Sequence, residues 1–167
     1  SNPNVILNAN AIAKGYSSDL VASFLESHAC KNYLVEIGGE IRVKGLNTEG
    51  APWRIGIDKP AEDNPIPGQD LQLILQISDK GIATSGNYRQ FYIEDGQKIV
   101  HTIDPVSGYP VKNNLLSATV IADDCITADA FATAFLVVGI EKALELINDL
   151  PYLEAIFICD EKGEYKV

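Results

Sequence analysis

Asp129 and Thr133 stand one helical turn apart in the stretch Cys125-Ile-Thr-Ala-Asp-Ala-Phe-Ala-Thr-Ala-Phe-Leu-Val-Val-Gly-Ile140, whose only charge is Asp129. An apolar run of this length predicts a largely buried helix, where an unpaired carboxylate is costly. At i and i+4 the carboxylate and the hydroxyl share one face and offer two hard oxygen ligands suited to a cation such as Mg²⁺. The same carboxylate would also serve as a helix cap or as the partner of a distant lysine, and the spacing alone does not choose among these.

A second locus is His101-Thr-Ile-Asp-Pro-Val-Ser-Gly-Tyr-Pro110. His101 closes a predicted strand, and an imidazole there can act as general base or as a neutral hydrogen-bond donor. Asp104-Pro105, Gly108 and Pro110 predict a tight turn behind it, and an incidental histidine beside that turn is the plainer reading. Two weaker anion-binding candidates accompany these. Thr84-Ser-Gly-Asn-Tyr88 can turn backbone N–H groups toward a phosphate. Asn10-Ala-Ile-Ala-Lys-Gly-Tyr16 sets Lys14 beside a helix entry, although its spacing does not fit a P-loop. Gly38-Gly39 permits either close approach of a flat ligand or a β-bulge.

The elements that must carry these residues follow from periodicity. Ser17, Ser18 and Asp19 offer helix-start chemistry, and Leu20, Val21, Phe24 and Leu25 continue at helical spacing. Strands are predicted at 5–7, 33–37, 40–44, 53–57, 71–77, 81–84, 117–122, 155–159 and 164–167, and a proline-rich surface loop at 59–70. Residues 91–93 and 98–100 flank Glu94-Asp-Gly-Gln97 as a hairpin. A short second helix is predicted over 141–148. Helices interleaved with antiparallel hairpins give an α+β class, with antiparallel sheets and packed helices in one domain.

Bulk properties narrow the function. The 167 residues carry a net charge of −10 and no basic cluster, which argues against a nucleic-acid partner. No apolar run reaches membrane-spanning length. Cys30, Cys125 and Cys159 lack metal-ligand spacing and read as buried thiols. With His28 and His101 the only histidines, a histidine-rich zinc site is excluded. No Gly-x-Ser-x-Gly elbow or Cys/His pair supports a nucleophilic hydrolase.

Six segments, taken in order, resemble the ApbE family, the FAD:protein FMN transferases once called thiamine biosynthesis lipoproteins. They are Ala11-Ile-Ala-Lys-Gly-Tyr16, Val35-Glu-Ile-Gly-Gly-Glu-Ile41, Trp53-Arg-Ile-Gly-Ile57, Ala83-Thr-Ser-Gly-Asn-Tyr88, His101-Thr-Ile-Asp-Pro105 with Gly108-Tyr-Pro110, and Ala128-Asp-Ala-Phe-Ala-Thr133. The resemblance implies an ApbE-like core related to the T-fold. It implies Mg²⁺-dependent transfer of FMN from FAD to a threonine or serine hydroxyl of a target flavoprotein, with release of AMP.

By position, the resemblance assigns the metal to Asp129, Thr133 and the Ala11 carbonyl, and the catalytic base to His101. It assigns cofactor contacts to Asn8, Lys14, Gly38, Gly39, Thr84, Ser85, Gly86, Thr102 and Ile103. Asn8 stands where many members carry an Asp that contacts FAD, and Ala132 where some carry a second carboxylate ligand. Family members are about twice as long, so residues 1–167 are expected to be the C-terminal part of such a fold and inactive alone. The same resemblance implies a periplasmic location and membrane attachment only through a lipid anchor outside this chain. A nucleotide-binding module without transfer activity and a structural interaction domain are the alternatives.

Overall fold

A computed structural model describes residues 8–61, 64, 66–88, 91–94 and 97–167, and the side chains of 91–98 are outside the description. The strand expected at residues 5–7 and the turn at 95–96 also lie outside the described residues.

The chain runs α1 (Ala13–Ser27), β1 (Tyr33–Ile37), β2 (Glu40–Lys44), β3 (Trp53–Asp58), β4 (Leu71–Ile77), β5 (Gly81–Gly86), β6 (Phe91–Glu94), β7 (Gln97–Val100), β8 (Leu115–Ala122), α2 (Cys125–Asn148), β9 (Glu154–Glu161) and β10 (Glu164–Lys166). Six strands form one antiparallel sheet in the order β1-β2-β5-β8-β9-β10. This is the α+β architecture that the alternation of elements predicts.

Strand alternation divides the apolar residues between two faces. One face carries Ala83, Leu115, Ala118, Val120 and Ala122 beneath α2, which contributes Ala128, Ala132, Phe135 and Leu136. Phe135 meets Phe157 edge to face at 5.4 Å. Helix α1 lies on the same face, against β1 and β2 and alongside α2. The opposite face carries Val43, Ile82 and Ile121, covered by Ile55, Trp53, Leu75 and Ile77 of the β3–β4 hairpin.

Three local expectations change. Gly38 and Gly39 do not form a β-bulge. They are the two-residue turn of the β1–β2 hairpin, with φ of 62° and 100°. Positive φ at both positions is the geometry whose twist matches paired strands, and glycine adopts it without a Cβ penalty. The short helix expected over 141–148 is the second arm of α2, set off by Gly139 (φ 79°, ψ 170°). The Asn113 amide donates to the Leu136 carbonyl at 2.9 Å, satisfying a group near the break. Finally, α1 begins at Ala13, so Ser17, Ser18 and Asp19 lie inside it.

Candidate active site at the crossing of the two helices

Lys14 and Gly15 occupy the first turn of α1, whose N-cap position, Ile12, has no side chain able to accept a hydrogen bond. The Gly15 N–H instead donates to Asp129 Oδ2 at 2.9 Å, across 114 residues of sequence. As a first-turn N–H it has no acceptor within the helix, since Ala11, four residues back, precedes the N-cap. Asp129 is 3% exposed. Its burial holds the carboxyl above the ordinary Asp range, while the Gly15 N–H and the Lys14 ammonium pull in the opposite direction.

Gly15 is glycine because nothing larger fits. A Cβ there would stand 2.5 Å from the Cys125 carbonyl oxygen and 2.8 Å from Asp129 Cβ. Both obstacles belong to α2 at or next to its backbone, so the two helices touch at this point.

Lys14 Nζ lies 2.7 Å from both carboxylate oxygens of Glu40 and 3.2 Å from the Gly38 carbonyl oxygen, to which it donates. The Glu40 side chain is 3% exposed and that of Lys14 48%. Lys14 is therefore not the solvated lysine of a helix entry. It neutralises a buried acid on β2 and keeps part of its length in solvent. Burial raises the Glu40 carboxyl above the ordinary Glu range, the Lys14 hydrogen bond offsets part of that, and the Asp129 charge adds to it. The Ser18 hydroxyl donates to the Glu40 carbonyl at 3.0 Å and ties β2 to α1.

One turn after Asp129, the Thr133 hydroxyl meets the Ser85 hydroxyl of β5 at 3.0 Å. Thr84, the neighbour of Ser85, faces the other side of the sheet and pairs with Thr119 at 2.8 Å. Of the residues assigned to nucleotide contact in this segment, Ser85 is brought to Thr133 and Thr84 is not. Gly86 ends β5 opposite Ser117, and a Cβ there would meet the Tyr88 ring at 2.6 Å. Asn8 precedes α1 on the surface, where its Oδ1 accepts the Asn10 N–H at 2.8 Å.

The segment 101–111 forms a closed loop. Its ends meet through the Ile103–Pro110 bridge and the Val111 N–H to Thr102 carbonyl bond of 3.0 Å. Asp104 carboxylate oxygens accept the Val106 and Ser107 N–H groups at 2.9 and 3.3 Å, as its turn position predicts. Thr102 is buried, and its hydroxyl donates to Asn87 Oδ1 at 2.6 Å. That bond anchors the loop two residues beyond Ser85. His101 and Ile103 are exposed on either side of Thr102.

Sequence reasoning missed two members of the site. Glu40 starts the predicted strand 40–44, and its spacing to Lys14 carries no periodic signal. Asp19 was read as a helix-start residue, yet its carboxylate accepts the N–H groups of Cys125 (3.0 Å) and Ile126 (2.8 Å) at the head of α2. The cysteine reading also changes: Cys125 and Cys159 are buried, and Cys30 is exposed.

The oxygen-only donors at this crossing fit a hard divalent cation. They are the Asp129 carboxylate and the Thr133 hydroxyl with a lone pair beyond its Ser85 bond, and Ala11, whose carbonyl the resemblance assigns to the metal, lies just before the N-cap of α1. Among the described residues no three His, Cys, Asp or Glu side chains gather for a metal, so such an ion would complete its shell from water or a phosphate.

A sequence model of the ApbE family matches residues 1–157. The FAD:protein FMN transferase of Vibrio cholerae is 42% identical over 98% of this chain, which covers 48% of that protein. The enzyme of the same name from Escherichia coli K12 is 39% identical over 87% of the chain and is covered to 40%. The solved flavin transferase ApbE of Vibrio cholerae superposes with a TM-score of 0.85 at 41% identity, over 98% of this chain and 50% of that one. The ApbE protein of Thermotoga maritima gives a TM-score of 0.82 at 30% identity, over 98% and 52%. The chain spans about half the length of the curated relatives it matches. With its fold, its family match and its motif order in agreement, the chain belongs to the ApbE family.

Proposed function

We propose that this chain forms the C-terminal part of a FAD:protein FMN transferase and carries its metal and pyrophosphate side. The supporting observation is the meeting of Asp129 with the Gly15 N–H beside the Lys14–Glu40 pair at the head of α1. In the reaction, a threonine or serine hydroxyl of a target flavoprotein attacks the FMN phosphorus of FAD. A new oxygen–phosphorus bond forms, the pyrophosphate bridge breaks, and AMP leaves with the bridging oxygen.

The chain's residues serve this chemistry as follows. Asp129, Thr133 and the Ala11 carbonyl would hold Mg²⁺, which when bound offsets the negative charge gathered on the pyrophosphate oxygens. Lys14 presents its half-exposed stem and ammonium to the nucleotide, while Glu40 fixes where that ammonium sits. His101 takes the proton of the attacking hydroxyl at a ring nitrogen. The 38–39 turn lets a flat ligand approach, since a Cβ at Gly39 would meet nothing within 4 Å. Thr102 and Ser85 hold their two segments together. Asn8, Thr84, Gly86 and Ile103 complete the proposed nucleotide-binding set. The full-length protein would work at the periplasmic face, held to the membrane by a lipid anchor.

The test is AMP release by the full-length polypeptide with FAD, Mg²⁺ and a threonine-bearing target flavoprotein. Covalent FMN on the target with one AMP per FMN is expected, and Asp129→Ala is expected to lower the rate at least 100-fold. Flavin retained without AMP would favour a binding module. Failure to bind flavin would favour a structural domain.

A further inference from the structure

Two helix starts at the crossing are satisfied in trans, each by the other helix. The first turn of α1 gives its Gly15 N–H to Asp129 of α2. The first turn of α2 gives its Cys125 and Ile126 N–H groups to Asp19 of α1. Gly15 and Asp19 are four residues apart, as are Cys125 and Asp129, so the two contacts sit about 6 Å apart along each helix axis. One contact of this kind would leave the helices free to pivot about it. Two contacts, with the Gly15 backbone against α2 between them, fix both the sliding and the rotation of α2 on α1.

We propose that Asp19 is a positioning residue for Asp129: its clasp on the head of α2 sets where the Asp129 carboxylate meets the head of α1. The chemistry suits the role. A carboxylate bonding two N–H groups at a helix N-terminus gains from charge-assisted hydrogen bonds and from the helix dipole. Arg42 of β2 supports it, with Nε 3.8 Å from Asp19 Oδ1 and the guanidinium donating to the Asp123 carbonyl just before α2. The head of α2 is thus held by α1 and β2 together, independently of its own cap, in which Asp124 Oδ1 accepts the Thr127 N–H at 2.9 Å.

The functional weight of this inference rests on Asp129 being a metal ligand, but its test reads geometry in the flavin-free, metal-free chain. Failure of flavin transfer and failure of the clasp are therefore distinguishable. Amide hydrogen exchange is followed by NMR in the unaltered chain and in the Asp19→Ala, Asp19→Asn and Asp124→Ala variants. The Gly15 amide has Asp129 as its acceptor, so its protection reports where Asp129 lies.

Asp19→Ala is expected to speed Gly15 exchange at least 10-fold relative to core amides of β8 and β9. Asp124→Ala removes a cap from the same helix without touching α1 and is expected to leave that ratio unchanged. Equal effects of the two variants would reduce Asp19 to an ordinary cap and overturn the proposal. If Asp19→Ala does not fold, Asp19→Asn decides. It keeps the shape and loses one acceptor oxygen, so unaltered Gly15 protection in that variant would also overturn the proposal.

Discussion

The helix crossing and the 101–111 loop both bring chemistry-bearing residues to one place, by opposite means. At the crossing, Asp129 and Glu40 are buried and Asp19 is partly buried, and their partners come from distant elements: Gly15 for Asp129, Lys14 for Glu40, and the head of α2 for Asp19. In the loop, the Asp104 carboxylate is satisfied by N–H groups two and three residues on, and His101, Val106 and Tyr109 stay exposed. A buried charge in a low-dielectric setting holds its geometry because leaving it unpaired is expensive. The exposed turn holds its geometry through backbone preference and short-range side-chain bonds to neighbouring N–H groups. The crossing is accordingly rigid and intolerant, and the loop is replaceable in its details as long as its turn closes.

The strongest way to break this comparison is a pair of glycine substitutions. Gly15→Ala places a Cβ against α2 at 2.5 Å and is expected to cost about 3 kcal/mol, measured by urea unfolding. Gly108→Ala meets nothing within 4 Å but must hold a φ of 75°, so about 1 kcal/mol is expected. Equal costs would remove the distinction between packed and local glycine.

Next in size is Lys14→Met, which strands the buried Glu40 carboxylate. Because Lys14 is half exposed, the cost at pH 7 is expected near 1–2 kcal/mol, below that of a fully buried pair. The pH dependence has a definite sign. Glu40 has a folded-state pKa raised above its ordinary 4.5, so its contribution to stability is fully present below 4.5 and is lost as pH rises through the folded value. Without the ammonium that value rises further. The deficit of Lys14→Met is therefore expected to shrink as pH falls from 7 toward 4.5, and a deficit independent of pH would contradict the pairing.

A third measurement reads burial directly. Cys30 is exposed, whereas burial pushes the Cys125 thiol up to about 12 and raises that of Cys159. A thiol reagent at pH 8 is expected to label one cysteine rapidly in the folded protein and all three in urea. Fast labelling of Cys125 would show the helix crossing open.

The smallest expected effect is at Asp104. Its carboxyl lies below the ordinary Asp range, chiefly because it accepts the Val106 N–H. Its contribution is present above pH 3.8 and lost as pH falls through the lower folded value. Asp104→Asn is expected to flatten the acid limb of a thermal-stability profile slightly. A steep change would mean the loop is more tightly coupled to the core than its exposure implies.

How far the sequence reveals each region follows the same division. The Asp104 turn was legible because Asp, Pro and Gly act on backbone within a few residues. The strands and both arms of α2 were legible from period, and Gly139 marks the junction between those arms. Asp129 was conspicuous as a lone charge, and its Thr133 neighbour followed from helical spacing. Its actual hydrogen-bond partner was not legible, because a Gly15 N–H 114 residues away leaves no local trace. Glu40 begins a strand and carries no signal of its own, and only its pairing with Lys14 makes it part of the site. Asp19 carries a helix-start residue type, and the helix start it serves is not its own. Thr84 and Ser85 were inseparable as neighbours until strand alternation sent them to opposite faces of the sheet.

Residue order by itself determined the α+β class, the positions of most elements, the tight turn between Asp104 and Pro110 and membership of the ApbE family. Those properties depend on backbone preference, side-chain period and motif succession, all of which act along the chain. Tertiary structure alone decided which acids are paired and with what, since that depends on the crossing of two helices far apart in sequence. It also decided that Lys14 is neutralised within the fold, that Cys30 lies outside the core, and that Asp19 and Asp129 each complete the other helix. The physical reason is desolvation: a charge taken out of water must find its partner wherever packing brings one, and that choice is made in space.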